Sequence, residues 1–304
     1  MRIAVLGDGA MGCLFGGYLS QNNDVTLVGI HPEKTAMILK NGVRIEEKNG
    51  VKTFHPHATT DASRIGGVEL VVLFVKSMFN EDVLLKNRCL IGTDTFVLTF
   101  QNGCGHDQVI SRFVPKDRII IGTTQHNASL KDDGTVVHGG AGPSTIGLLE
   151  GESAVLQPMA MQFTTCGWET KASDGVMRDV WGKLFTNTSV SVLSAVLQCS
   201  LDYISQCPEA WVVAETLVKE AVAVAKADGY PFEEAEAVRS VRVVVDTARN
   251  GYTSICMDLK AGRKTEVEMI SGYVVRRAGE LGVDVPCQDM MVRMIHALEM
   301  KPRL

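Results

Sequence analysis

Short, continuously apolar segments dominate the first third of the chain. Residues 2–6, 24–28, 69–76, 95–99 and 118–121 are rich in Val, Ile, Leu and Phe without polar alternation. Strands of that kind are buried on both faces, and helical stretches at 13–21, 32–40 and 81–86 fall between them. The alternation predicts a parallel sheet covered by helices. Two β-rich runs, 43–47 and 51–54, flank Asn49-Gly50, a hairpin signal. From Thr124 the pattern becomes turn-rich over 124–130, 136–139 and 145–147, which predicts antiparallel strands closing the sheet. Beyond about residue 170 a helical period takes over, at 175–196, 208–227, 232–249, 265–281 and 288–300. The chain therefore reads as an α/β domain over 1–170 followed by an all-helical domain over 171–304. The helix at 208–227 sets Trp211, Val212, Leu217, Val218, Val222 and Val224 among alanines. It is expected to be a central buried helix, with a homodimer interface as the alternative use of its apolar surface.

Composition narrows the class. At 304 residues, with 45% hydrophobic and 21% charged residues, the chain is long enough for two cores and is not of a disordered kind. A net charge of −5 without any Lys/Arg block argues against nucleic acid or an anionic membrane as partner and points to a small molecule. No apolar run approaches the ~20 residues of a membrane span, and Asp8 with its flanking glycines interrupts the N-terminal apolar run before a signal-peptide core can form. The expectation is a cytoplasmic protein. The eight cysteines are scattered without a C-x-x-C pair or histidines at ligand spacing, so reduced thiols and no metal are expected.

One motif carries specific chemistry. Gly7-Asp8-Gly9-Ala10-Met11-Gly12 has the G-x-G-x-x-G spacing and stands between the first strand and the first helix of a complete βαβ unit. Gly7 permits the tight turn, Gly9 lets the backbone approach a pyrophosphate and Gly12 allows close helix–strand packing, with the helix N-terminus facing the anion. This is the turn of a Rossmann dinucleotide-binding domain. About 20 residues on, where an Asp or Glu would hold the adenosine ribose of NAD, the chain reads Val28-Gly29-Ile30-His31-Pro32-Glu33-Lys34. No acid ends the strand and no arginine stands ready for a 2′-phosphate. His31 and Lys34 are the available cations, and the reading leans to NADP(H) over NAD(H).

The second domain holds a polar line on an apolar helix. Lys183, Asn187 and Ser191 recur at i, i+4 and i+8 among Trp181, Leu184 and Phe185, which places them on one face. A lone lysine usually reaches out to solvent, but three polar groups in line need partners or a wet cleft. Glu266 follows Thr265 at a predicted helix start, where the helix dipole alone favours an acid. Gln101-Asn102-Gly103 follows the strand at 95–99, at the carboxyl edge of the sheet where ligands bind.

Taken together, Gly7-Asp8-Gly9-Ala10-Met11-Gly12, Val75-Lys76, Gln101-Asn102-Gly103, Gly122-Thr123-Thr124, Gly134-Thr135-Val136-Val137-His138, Trp181-Gly182-Lys183-Leu184 with Asn187, Thr253-Ser254 and Gly262-Arg263-Lys264-Thr265-Glu266 resemble the ketopantoate reductase (2-dehydropantoate 2-reductase) family in order and over nearly the whole chain. The resemblance implies a Rossmann domain for NADPH, a helical domain like that of 6-phosphogluconate dehydrogenase, and a substrate cleft between them. It also implies roles. Lys183 matches the lysine that gives a proton to the substrate carbonyl oxygen as hydride arrives, and Glu266 the glutamate that holds that lysine and the substrate hydroxyl. Asn102 matches the residue between cofactor and substrate, Asn187 a ligand of the substrate hydroxyl, Ser254 a ligand of its carboxylate, and Lys76 a lysine near the adenosine ribose and phosphates. Ser191-Val192 stands where the family commonly carries asparagine and proline, which shortens one substrate ligand.

The expected activity is NADPH-dependent reduction of 2-dehydropantoate to pantoate, a step towards pantothenate and coenzyme A. Two alternatives stay open on the sequence: an oxidoreductase of the same scaffold for another 2-oxo or 2-hydroxy acid, and a dinucleotide-binding redox sensor without turnover.

Overall fold

The computed structural model describes residues 1–248 and 251–301. The chain forms two compact units, one of residues 1–101 with 106–177, the other of residues 102–105 with 178–304.

The first unit is built on β1 (Arg2–Leu6), α1 (Ala10–Leu19), β2 (Asp24–Val28), α2 (Pro32–Asn41), β3 (Val43–Glu47), β4 (Gly50–Phe54), β5 (His57–Thr59), β6 (Leu70–Leu73), α3 (Asn80–Lys86), β7 (Phe96–Thr99), α4 (Asp107–Ile110), β8 (Ile119–Thr124), β9 (Asn127–Leu130), β10 (Val136–Gly140), β11 (Ser144–Leu148), α5 (Gln157–Thr165) and β12 (Thr170–Ala172). Eight strands form one sheet in the order β12-β11-β8-β7-β6-β1-β2-β5. Its centre is parallel, with Val5 paired to Leu27 on one side and to Val72 on the other. Strands β1 and β6 are buried along almost their whole length, as unbroken apolar runs require of a sheet covered on both faces. Chain order reverses between β1 and β6, and that switch point is where an open α/β sheet opens a ligand crevice.

Two expectations are corrected here. Of the predicted antiparallel strands only β11 joins the main sheet, antiparallel to β8; β9 and β10 join the 43–54 hairpin in a separate sheet of order β4-β3-β10-β9. Packing of α1 beneath this second sheet explains the diversion, because Ile45, Phe54 and Val136 bury against α1 residues such as Leu14 and Tyr18. The boundary expected after residue 170 also moves, since Thr170–Ala172 pairs with β11 and belongs to the first unit.

A polar chain, buried at His126 and Tyr18 and reaching solvent at Lys52, runs beside the second sheet. His126 stacks on Trp168 with ring centroids 3.8 Å apart, and its Nδ1 lies 2.9 Å from His138 Nε2. Tyr18 bonds Glu47, which pairs with Lys52 at 2.8 Å. Burial, helped by the neighbouring His138, pulls the His126 pKa from 6.5 down to about 4. The folded protein therefore holds this imidazole neutral where the unfolded chain would protonate it, so stability is expected to fall as pH drops from about 6.5 towards 4. Between pH 7 and 5 the loss should be about 1 kcal/mol once solvent screening is allowed for. Urea midpoints at the two pH values read it, and His126→Phe, which keeps the stack, should flatten the dependence.

The second unit is helical: α6 (Val176–Thr186), a π-helical turn at Asn187–Ser191, α7 (Val192–Leu197), α8 (Leu201–Gln206), α9 (Pro208–Ala227), α10 (Glu234–Thr247), α11 (Ser254–Lys260), α12 (Ser271–Leu281) and α13 (Pro286–Met300). The C-terminal half of α9 is central, burying Leu217, Val218, Val222 and Val224 and packing against α10, α12, α13 and the π turn. Its N-terminal half leaves Val212 and Val213 exposed, so the central buried helix expected from the sequence holds for half its length. The helix expected over 265–281 breaks at Ile270, whose ψ of −99° separates a short turn at Val267–Met269 from α12. The helix expected over 232–249 runs from Glu234 to Thr247, and Arg249 lies outside the described residues. Among the described residues no helix is long and apolar enough to cross a membrane.

Candidate active site

The glycine turn sits at the end of β1, against the chain leaving β6. Gly7 has φ +110°, and a Cβ there would come within 2.8 Å of the Phe74 carbonyl carbon, so only glycine fits. A Cβ on Gly12 would overlap the Gly7 carbonyl oxygen, whereas one on Gly9 would meet nothing within 4 Å. The turn is thus closed at Gly7 and Gly12 and open at Gly9, which caps α1 in an extended conformation. Ala10 and Met11 open α1. The backbone N–H groups of a helix N-terminus beside open space are what a pyrophosphate requires.

A cavity of about 380 Å³ adjoins this turn, lined by Gly7, Asp8, Gly9, Gly29, Ile30, His31 and Lys76 among others. Of the sequence-predicted cofactor residues of this unit, Gly7, Asp8, Gly9, His31 and Lys76 share this space, while Ala10, Met11 and Gly12 are not among its lining. His31 caps α2 through its backbone position only and lies 3.5 Å from Glu33. Lys34, the other candidate cation, is turned back onto the glycine motif, donating to the Asp8 carbonyl and standing 3.8 Å from Asp8 Oδ1. Asp8 is only 9% exposed, and its Oδ2 is buried with no hydrogen-bond partner among the described residues. The open flank at Gly9 and this orphaned oxygen both fit a dinucleotide with phosphates over the helix and hydroxyl donors nearby.

The remaining candidates lie in the second unit. Lys183 occupies the last turn of α6, on a helix whose Trp181 and Phe185 are fully buried. Burial pulls its pKa from 10.5 down to about 8, as desolvation does to any ammonium. Asn187 begins the π turn and Ser191 ends it. This alters the expected stripe in an informative way. Residues four apart overshoot a full α-turn by roughly 40°, while a widened i→i+5 turn undershoots. The step from Asn187 to Ser191 therefore offsets the drift from Lys183 to Asn187 and brings the line back into register.

The π turn is pinned by hydroxyls. Thr188 Oγ1 lies 2.8 Å from Ser271 Oγ and donates to Gln288 Oε1 at 2.6 Å, all three residues being fully buried. The Ser191 carbonyl accepts from Ser194 Oγ at 2.9 Å and from Thr253 Oγ1 at 3.2 Å. Thr253 also caps α11 by accepting from Cys256 N, which sets Ser254 at the first position of that helix beside the end of the π turn. Asn102 belongs to this unit through the next residues: Cys104 N donates to Met269 O at 2.8 Å, and Met269 N donates to Glu266 O at 3.0 Å. Gly103, at φ +95°, permits the approach, for a Cβ there would strike the Met269 carbonyl. Glu266 precedes a single 3₁₀ turn, too short to carry the dipole that could explain an acid at a long helix start. Its loop is held by Arg263 on Asp258 at 2.9 Å and by Thr265 on Glu299 at 2.7 Å.

The segments bearing Asn102, Lys183, Asn187, Ser191, Ser254 and Glu266 are thus joined within one unit. Of the pinning residues, Thr188 and Ser194 were not singled out in the sequence, and Thr253 only as part of the Thr253-Ser254 match. The sequence signal of Thr188 and Ser194 is the density of hydroxyls in Thr186-Asn187-Thr188-Ser189 and after, which reads equally as a surface. Thr188→Val should leave Gln288 Oε1 without its donor and destabilise the protein by about 2 kcal/mol, visible as a lower urea midpoint with unchanged slope. A shift below about 0.5 kcal/mol would mean that another group satisfies the glutamine.

A glycine turn at the switch point of a parallel sheet, followed by a helical unit with a half-buried lysine whose ammonium is desolvated, defines a dinucleotide-dependent oxidoreductase. The family described as Ketopantoate reductase PanE/ApbA matches residues 3–151 and its C-terminal counterpart residues 175–299. A 2-dehydropantoate 2-reductase of Halobacterium salinarum is 34% identical, over 94% of this chain and 95% of that protein. One of Lactococcus lactis is 30% identical over 98% of each. A D-mandelate dehydrogenase in complex with NADH and anilino(oxo)acetate superposes with a TM-score of 0.92 at 28% identity, covering 98% of both chains. The chain belongs to the ketopantoate reductase family. With that membership the sensor without turnover falls away.

Proposed function

We propose that the protein reduces 2-dehydropantoate to pantoate with a reduced nicotinamide dinucleotide, Lys183 acting as general acid. The observation that carries this reading is the desolvated ammonium of the half-buried Lys183, its pKa drawn down to about 8, in line with Asn187 and Ser191 on a helix whose π turn is fixed by its neighbours. When bound at the glycine turn, the dinucleotide supplies the hydride that reaches the carbonyl carbon. Lys183 stabilises the negative charge growing on the carbonyl oxygen and gives that oxygen its proton, then regains one from water. Glu266 holds the ammonium and the emerging hydroxyl, Asn187 orients the substrate hydroxyl, and Ser254, at the start of α11, receives the substrate carboxylate. Asn102 stands between substrate and dinucleotide, and Lys76 serves the phosphates and ribose.

A pKa near 8 keeps the lysine protonated at neutral pH and close enough to the operating pH to transfer its proton readily. Reduction should therefore slow as pH rises through about 8, and the reverse oxidation should quicken. Steady-state oxidation of reduced dinucleotide with 2-dehydropantoate tests the reading. No turnover with that substrate would overturn it.

A second reading keeps the chemistry and changes the acid. The close superposition on a D-mandelate dehydrogenase, with Ser191-Val192 offering a short hydroxyl in the substrate line, supports a 2-oxo acid with a bulkier side chain. A panel of aliphatic and aromatic 2-oxo acids separates the two by their kcat/KM.

A further inference from the structure

The end of β2 lacks a side chain where a dinucleotide-binding fold usually presents its ribose acceptor, about 20 residues beyond the glycine turn. That position is Gly29, and the space its Cβ would fill is already taken. A Cβ there would lie 2.8 Å from the Asp8 Cγ and closer still to Oδ2. The carboxylate of Asp8 has entered the position from the other side, out of the glycine motif itself. Gly29 is what lets it in, and the Gly29 backbone is fixed there by its N–H bond to the Thr59 carbonyl at 3.0 Å.

The surroundings define what this carboxylate can receive. Oδ1 faces Lys34 at 3.8 Å, while Oδ2 is buried without a partner among the described residues, beside the cavity of about 380 Å³. A buried carboxylate oxygen without a donor costs stability unless a ligand supplies one. Ile30, which follows, is an exposed aliphatic residue. It offers no charge to a phosphate, and His31 lies against Glu33.

We infer that Asp8 is the ribose acceptor of this protein and sets its preference for NAD(H) over NADP(H). The adenosine 2′- and 3′-hydroxyls donate to the carboxylate, filling the vacant valence of Oδ2. A 2′-phosphate would set a second anion against a buried first one, and Lys34, the cation beside it, is already held by Asp8. The lean to NADP(H) drawn from the bare sequence is thereby reversed, because the missing acid is supplied from the turn rather than from the strand end. This inference rests on the cavity being the dinucleotide site.

ADP-ribose and 2′-phospho-ADP-ribose, which lack the nicotinamide, isolate the ribose end, and calorimetric titration of the full-length protein reads both without catalysis. The wild-type protein should bind ADP-ribose at least about 10-fold more tightly than its 2′-phosphate, the worth of one charge-assisted hydrogen bond. In Asp8→Asn, which keeps the shape of the side chain, the preference should shrink to near unity. In Asp8→Ser, which removes the carboxylate that Lys34 faces while keeping its bond to the main-chain carbonyl, it should turn towards the 2′-phosphate. Thermal midpoints confirm that both variants fold. Tighter binding of the 2′-phosphate by the wild type, or a ratio unchanged in both variants, overturns the assignment of Asp8 while leaving the site intact. If neither compound binds, the dinucleotide reading of the cavity fails, and the inference with it.

Discussion

Replacing Lys183 by alanine is expected to lower kcat for 2-oxo acid reduction by about 10² to 10⁴, the usual contribution of a positioned general acid. The dissociation constant of the dinucleotide should change by less than about twofold, because the lysine lies on α6 and the glycine turn on another unit. Two signatures separate a catalytic role from a structural one. The first is the split between parameters: a group that acts only in the transition state lowers kcat and kcat/KM together, whereas a binding group raises KM at constant kcat. The second is the pH profile. Burial sets the ammonium near pH 8, so the wild-type reduction rate should fall above that pH, and the residual rate of Lys183→Ala should lose that limb. Removing a buried charge can also stabilise the fold, so a thermal midpoint equal to or above that of the wild type would accompany the loss. An unchanged kcat would remove Lys183 from the reaction.

The sequence carried these features unequally. The unbroken apolar runs of β1, β2 and β6 and the glycine spacing are local signals, and they gave the parallel sheet and its crevice directly. What could not be read depended on contacts distant in sequence. The π turn at Asn187–Ser191 has no propensity signature, since it is held by Ser271, Gln288 and Thr253, up to about 100 residues further on. The sequence places Asn102 after the strand at the carboxyl edge of the sheet, but its attachment to the helical unit through Cys104 and Met269 depends on a left-handed Gly103 that resembles any Asn-Gly turn. The diversion of β9 and β10 into a second sheet was invisible for a similar reason: alternation says that a strand has two faces but not which sheet it joins. Asp8 is the sharpest case. A search for an acid at the end of β2 finds none, because the carboxylate arrives through space from a residue 21 positions earlier than Gly29.

The glycine turn allows folding and binding to be separated by two neighbouring substitutions. Gly12→Val would drive its Cβ into the Gly7 carbonyl, an overlap with rigid backbone that neither residue can relieve without opening the β1–α1 junction, and insoluble or unfolded protein is expected. Gly9→Val is different. Gly9 has φ −67° and ψ −172°, a conformation open to any L-residue, and a Cβ there meets nothing within 4 Å. The variant should fold with a thermal midpoint within about 3 °C of the wild type, as a surface substitution does. Its side chain nevertheless stands where the backbone must come within contact of the pyrophosphate, so affinity for the dinucleotide should fall at least about 100-fold. Fluorescence titration with reduced dinucleotide, run beside thermal melting, reads both quantities on one sample. A folded Gly9→Val that binds with wild-type affinity would move the phosphates away from the N-terminus of α1, since no arrangement that places them there leaves room for the two methyl groups.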